Sequence, residues 1–143
     1  MSKKNGKIAS LIQGLDGQEL DAHYLGYFEC FNRKLFFEAH EVLEELWLTQ
    51  RNAPDGLFYK GLIQLAGAFV HLQKSRLRPA VSLFKLAQTQ LRKYPSVHLR
   101  LNVEDVLAIA EQWIELVEAG NYSSNPLTIH PTPNLLLAAS SEL

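Results

Sequence analysis

Leu57-Phe58-Tyr59-Lys60-Gly61-Leu62-Ile63-Gln64-Leu65-Ala66-Gly67-Ala68-Phe69-Val70-His71-Leu72-Gln73-Lys74 decides the fold. Its apolar residues recur around most of a helical circumference, so the segment reads as a central helix covered on nearly all sides. Its uncharged core, Gly61 to Gln73, is too short for the ~20 residues of a membrane span, and it carries Gln64 and His71. Upstream, Leu20, Tyr24, Tyr27, Phe28 and Phe31 fall at helical spacing between Glu19 and Arg33. A second helix runs from about Leu35 to Gln50 and stops before the turn formers Asn52-Ala53-Pro54-Asp55-Gly56. Downstream, Pro79 opens a helix that reaches about Tyr94, where Pro95 closes it. Asn102 reads as the N-cap of a last long helix, with Glu104 and Asp105 in its first turn and Gly120 as a C′ glycine. No segment alternates with period two. The expected fold is all-α, a single compact array of about five helices around one central apolar helix.

Three regions follow. Residues 1–17 read as a flexible arm with about one helical turn at Ile8, Leu11, Ile12 and Leu15, residues 18–121 as the helical domain, and residues 122–143 as a tail. Pro126, Pro131 and Pro133 forbid helix in the tail, and Leu135, Leu136 and Leu137 follow them. A frayed end with some packing is the preferred expectation; the alternative is a strap across this or a neighbouring subunit. The chain of 143 residues is 47% hydrophobic and 20% charged, which suits one folded domain. One cysteine, Cys30, excludes an intrachain disulfide and a cysteine-based zinc finger. It fits a reducing compartment, and with no membrane span or signal peptide the expected location is cytoplasmic.

The net charge is −1, so bulk charge does not announce a nucleic-acid binder. Charge is nonetheless segregated. Between Asp55 and Glu104 every charged side chain is basic, and Arg78, Lys85 and Arg92 repeat every seventh residue. After Arg100 only acids follow: Glu104, Asp105, Glu111, Glu115, Glu118 and Glu142. The favoured reading pairs the two stripes across adjacent helices; RNA or anion binding through residues 74–100 is the alternative, weakened by the lack of interleaved aromatics. A homodimer built through the tail or the stripes is a further reading.

The chemistry-bearing residues sit on two helices. Leu35, Ala39, Val42 and Leu46 share one face, and Glu38, Glu41 and Glu45 share the natural solvent side. His40 and Glu44 lie one turn apart in a sector with Phe36, Phe37, Trp47 and Leu48. On the central helix Leu57, Gly61, Gln64, Ala68 and His71 share a face, with Gly61 and Ala68 small enough for close helix approach. Buried amides and imidazoles need partners, so His40, Glu44, Gln64 and His71 are expected to converge in one buried cluster, with Trp47 walling one side.

The string Phe36-Phe37-Glu38-Ala39-His40-Glu41-Val42-Leu43-Glu44-Glu45-Leu46-Trp47, followed by Gly61-Leu62-Ile63-Gln64-Leu65-Ala66 and His71, resembles the bacterial and archaeal family of domains of unknown function numbered 309. The resemblance runs from about Tyr24 to Tyr94. It implies a small all-helical domain and motif positions at His40, Glu41, Glu44, Trp47, Gly61, Gln64 and His71, and it implies no activity. Lys34 stands where the family often has glycine, which suggests that a bend there is dispensable. Ser75-Arg76-Leu77-Arg78-Pro79-Ala80 replaces the usual Gly-Asn-containing turn.

His40-Glu41-Val42-Leu43-Glu44 differs from the zincin motif His-Glu-x-x-His by one ligand. His40, Glu44 and His71 are therefore the candidate ligands of a divalent transition metal, such as Fe(II), Mn(II) or Zn(II). Candidate catalytic residues are His40, Glu41, Glu44 and His71, and candidate ligand-binding residues are Trp47 and Gln64. The favoured expectation is a structural network or a small-ligand site, with a metal-dependent enzyme or metal-binding protein as the alternative. Ferritin-like Glu-x-x-His repeats, a phosphate loop and nucleotide motifs are absent from the sequence. Cys30 reads as packed rather than nucleophilic. The sequence names no reaction.

Overall fold

The computed structural model describes residues 3–15 and 19–139. Among these residues it holds six α-helices: α1 Lys3–Leu11, α2 Ala22–Asn32, α3 Phe36–Gln50, α4 Gly56–Gln73, α5 Leu77–Leu91 and α6 Val103–Ala119. A two-residue-per-strand antiparallel hairpin, β1 Val97–His98 and β2 Leu101–Asn102, separates α5 from α6. The all-α reading holds. No helix among the described residues is long and apolar enough to cross a membrane.

The central helix is α4, which buries ten of its residues, from Gly56 to Leu72. It packs against α3 on one side and α5 on the other. Both neighbours run antiparallel to it. Gln73 at its end donates to the Lys34 carbonyl before α3, while Lys60 near its start lies over the Trp47 ring late in α3. Gly61 lets α5 approach closely: a Cβ there would stand 3.0 Å from Leu91 Cγ and 3.1 Å from Gln90 Cβ. Aromatic edges lock the centre, with Phe69 against Phe31, Phe36, Phe84 and Trp113. Tyr27 on α2 donates to the Leu62 carbonyl at 2.6 Å.

The caps agree with the sequence at one helix and differ at others. Asn102 caps α6 by accepting from the Asp105 N–H, as its position predicts. Helix α5 begins two residues before Pro79 and ends at Leu91, short of Tyr94. Gly120 is not the left-handed residue; it sits at φ −81, and Asn121 and Tyr122 adopt φ 55 and 58 instead. What Gly120 supplies is space, since its missing Cβ would meet Ser124 Oγ at 2.8 Å. The bend at Lys34 is kept, with lysine at φ 65 in a region that costs a non-glycine residue ~1–2 kcal/mol. Ser75, in the turn that departs from the family pattern, is likewise left-handed at φ 56. Both bends are made without glycine.

The hairpin, which period-two alternation does not reveal, turns through Leu99 and Arg100, both at positive φ as a two-residue turn demands. It is held from outside itself. Tyr24 donates to the Leu99 carbonyl, and Arg100 pairs with Glu19.

The N-terminal segment makes nine residues of helix rather than one turn, because α1 has somewhere to dock: Ile8 is fully covered and Lys7 reaches Glu41 at 3.4 Å. The boundary expected at residues 17 and 18 lies outside the described residues, as does Glu142 of the acidic series. The described tail is a strap across its own chain, not a frayed end. Asn125 caps a 3₁₀ turn at Pro126–Thr128 and donates to the Leu72 carbonyl at 2.6 Å. Asn32 then clasps residue 135 twice, donating to its carbonyl at 2.8 Å and accepting from its N–H at 2.7 Å. Leu135 is buried in the core, and the Ala138 N–H donates to the Arg100 carbonyl. Side-chain amides reading backbone groups are what hydropathy patterns cannot show.

Of the two charge stripes, one ion pair forms among the described residues, Lys85 with Glu118 at 3.4 Å. Arg78 instead lies 4.2 Å over the Tyr122 ring. The stripes face neighbouring helices, but their residues are not matched one to one.

Candidate functional site

The helix pair α3 and α4 carries the residues singled out by the sequence. One turn apart on α3, His40 and Glu44 meet: His40 Nε2 stands 3.1 Å from Glu44 Oε2. On α4, Gln64 and His71 are seven residues apart. That is two turns, a rise of about 10.5 Å, so their side chains cannot satisfy one another. The expected hydrogen-bonded convergence is not formed among the described residues: His40, Gln64 and His71 line one groove, but Gln64 Oε1 and His71 Nδ1 bond to nothing there.

The arrangement is a groove rather than a buried cluster. Phe37 and His40 form its α3 wall, Ile63, Gln64, Gly67, Val70 and His71 its α4 floor, and Leu83 its α5 wall. Its volume is about 290 Å³. Gly67 lies midway between Gln64 and His71, and a Cβ there would stand 3.1 Å from Leu83 Cδ1. The absent Cβ lets the Leu83 side chain pack close against Gly67. His40 is 28% exposed and Glu44 29%, so neither is sealed from solvent. The Phe37 ring stands 5.7 Å from His40 and is itself half-exposed.

Two atoms in this groove lack what buried polar atoms normally have. Gln64 Oε1 and His71 Nδ1 are both inaccessible to solvent, and neither has a hydrogen-bond partner among the described residues. A buried group left so costs ~1–3 kcal/mol. Burial, and then the positive charges of Arg76 and Lys74, hold the His71 pKa below its ordinary value of 6.5, which favours the neutral imidazole.

Other expected site residues fall elsewhere. Glu41 is paired with Lys7 of α1, away from the groove; of the side read as solvent-facing, Glu38 and Glu41 meet Lys7, while Glu45 meets His23 of α2 with its side chain still 39% exposed. Trp47 does not wall the groove. Its ring is flanked by Lys60 at 5.6 Å and Arg51 at 5.9 Å. Among the described residues no group of three or more His, Cys, Asp or Glu side chains is disposed to hold a metal ion, so the ligand set His40, Glu44 and His71 is not assembled. His40 and His71 line the same groove, while Glu44 is not part of its lining.

Sequence reasoning missed two histidine contacts at the far end of the array. His98 Nε2 stands 2.7 Å from Asp55 Oδ1, between the Phe58 and Tyr94 rings. Tyr94, which had no partner by sequence, donates to the Pro54 carbonyl and accepts from the Phe58 N–H. His23 lies 3.1 Å from Asp21 and 3.3 Å from Glu45. The His98–Asp55 and His23–Glu45 contacts join residues 43 and 22 positions apart, so no spacing rule exposes them. They tie α2, α3 and the hairpin to the start of α4.

Fold and groove together define a small all-helical domain with a half-open, largely apolar groove on its central helix. Residues 24–83 match the model of a family described as Domain of unknown function (DUF309), which carries the resemblance read from the two motifs. An uncharacterized protein of Aquifex aeolicus (strain VF5) is 28% identical over 92 residues, covering 64% of this chain and 28% of that relative. The chain therefore corresponds to less than a third of that relative's length. No solved structure matches the chain.

Proposed function

We propose that the groove over Gly67 is a binding site for a small, mainly apolar molecule. One observation carries this reading. A structural network is closed and satisfied, whereas here Gln64 Oε1 and His71 Nδ1 are buried without partners beside an open volume of about 290 Å³. Pockets of this kind combine apolar walls with a few polar groups that fix orientation, and Phe37, Ile63, Val70 and Leu83 supply the walls. The His40–Glu44 contact supports the reading differently, by holding a third polar ring in a set orientation at the groove wall.

The test is a fragment titration of the ¹⁵N-labelled protein, following the backbone amides of Gly67, Val70 and His71. Fragments are expected to shift these amides in the natural protein and to leave them unmoved in a folded Gly67→Leu variant, whose side chain fills the floor. Shifts that persist in Gly67→Leu, or no groove shifts with any fragment, would refute the site.

A further inference from the structure

The groove is the middle of a larger exposed face. Lys60, Ile63, Gly67, Val70 and Lys74 recur at spacings of three and four, so they form one stripe along the outer side of α4 and its C-cap. Ile63 and Val70 are only partly buried, although both pack on the core. The ridges on either side leave apolar side chains in solvent: Phe37 of α3 is 46% exposed, and Leu86, one turn beyond Leu83 on α5, is 45% exposed. Apolar surface left together in this way marks a contact surface.

Cations close both ends of the face. At the start of α4, Lys60 and Arg51 flank the Trp47 ring, and Lys93 donates to Gln90, which packs against Gly61. At its end stand Lys74 and Arg76; the Arg76 N–H donates to the His71 carbonyl, and both charges reach the His71 ring. From Lys60 to Lys74 the helical rise is about 21 Å. None of these five cations forms an ion pair among the described residues, where the Lys and Arg partners are Lys7, Lys85 and Arg100 instead. Helices α4 and α5 contain no acid, and on α3 Glu44 is already held 3.1 Å from His40 Nε2.

Resting on the reading of the groove as an apolar binding site, we propose that this face docks an amphipathic helix of a partner protein, apolar along its middle and acidic in its first and last turns. One apolar side chain of that helix enters the groove, in the place a small apolar molecule would take. Its acidic ends meet Arg51, Lys60 and Lys93 on one side and Lys74 and Arg76 on the other. Charge selects this occupant. A second copy offering the same face would bring cations onto cations at both ends, whichever way the two stripes ran. A flat anionic bilayer complements the charge but would rest on the α3 and α5 ridges and leave the recessed α4 floor unfilled.

The experiment titrates designed alanine-based peptides of about 18 residues into the ¹⁵N-labelled full chain, following the Ile63, Val70 and Leu86 amides. One peptide carries a leucine stripe at spacings of three and four, with glutamates in its terminal turns. A second has lysine in place of each glutamate, and a third has the residues of the first in scrambled order. Exposed ion pairs are worth roughly twofold each, so the acidic peptide is expected to bind about tenfold more tightly than the lysine peptide at low salt. That preference should fade toward about 1 M salt, where the Debye length is about 3 Å. Joint Arg76→Glu and Lys93→Glu changes, both at exposed positions, should bring it below about threefold. Leu86→Ala should weaken the acidic peptide by about fivefold. Equal binding of the acidic and lysine peptides, or scrambled binding as tight as ordered, would overturn the proposal. So would shifts of these amides with protein concentration alone, which place a second copy there, or with phosphatidylglycerol vesicles but no peptide, which place a bilayer there. Fragments that shift the groove amides while no peptide binds would overturn the helix and leave the groove a small-molecule site. A face that takes neither fragments nor peptides would overturn both readings together.

Discussion

Replacing Gln64 by methionine tests the difference between a groove kept for a ligand and a network kept for stability. The two side chains have nearly the same length and volume, so packing along α4 is preserved. The change deletes an acceptor that is buried and unpaired. Such a group costs ~1–3 kcal/mol, and removing it from a residue only partly buried, whose amide nitrogen also leaves solvent, places the gain near the lower bound, at about 1 kcal/mol. For a chain of 143 residues the entropy of unfolding is about 300 cal/mol/K at roughly 2.1 cal/mol/K per residue, so this gain raises Tm by about 3 °C. Thermal unfolding followed by far-ultraviolet circular dichroism, at several scan rates to establish reversibility, measures it. A Tm that falls by 3 °C or more would show that Gln64 stabilises the fold through partners of its own, and the reasoning would fail. A rise would place Gln64 among residues that lower stability in exchange for binding.

Asn32 presents the opposite case, an amide with both ends satisfied by residue 135. Asn32→Ala removes two hydrogen bonds of about 1 kcal/mol each, so Tm should drop by about 6 °C and the Leu135 and Ala138 amides should exchange faster with deuterium. An unchanged exchange rate would mean that the strap is held by Leu135 alone. For His71, the folded pKa lies below 6.5, so the unfolded chain takes up the proton first as pH falls. Its contribution therefore lowers stability as pH drops through 6.5, and urea unfolding at pH 7.5 and 5.5 should show a smaller loss in His71→Phe than in the natural protein; equal losses would contradict this. Burial, with Glu38 adding to it, pushes the Cys30 thiol up to about 11. Disulfide-exchange reagents at pH 8 should label it only as fast as the protein opens, and rapid stoichiometric labelling would refute its burial.

The helices were legible because a helix is a local object. The period of 3.6 residues in Leu57–Lys74, the N-cap at Asn102 and the breaks at Pro54 and Pro95 all act through neighbours within four or five positions. The same locality explains the His40–Glu44 contact, an i, i+4 pair that needs no tertiary information. It explains the failed convergence too. Sharing a helical face specifies an angle around the axis but not a position along it, and Gln64 and His71 share the angle while standing two turns apart. The left-handed bend at Lys34 was misjudged because glycine is the usual signal for such a bend and not a requirement of it.

By itself, then, the sequence determined an all-α domain, the identity of its innermost helix, a family resemblance that the match over residues 24–83 carries, and the His40–Glu44 pair one turn apart on α3. Tertiary structure alone decided that α1 covers Glu41, that Asn32 clasps the tail at residue 135, and that Leu83 of α5 stands across from Gly67 in a groove whose Gln64 and His71 each hold a buried, unpaired polar atom. Periodicity follows from hydrogen bonds between residues four apart, whereas each of these contacts closes a long loop of chain, and nothing local records which distant surface arrives there.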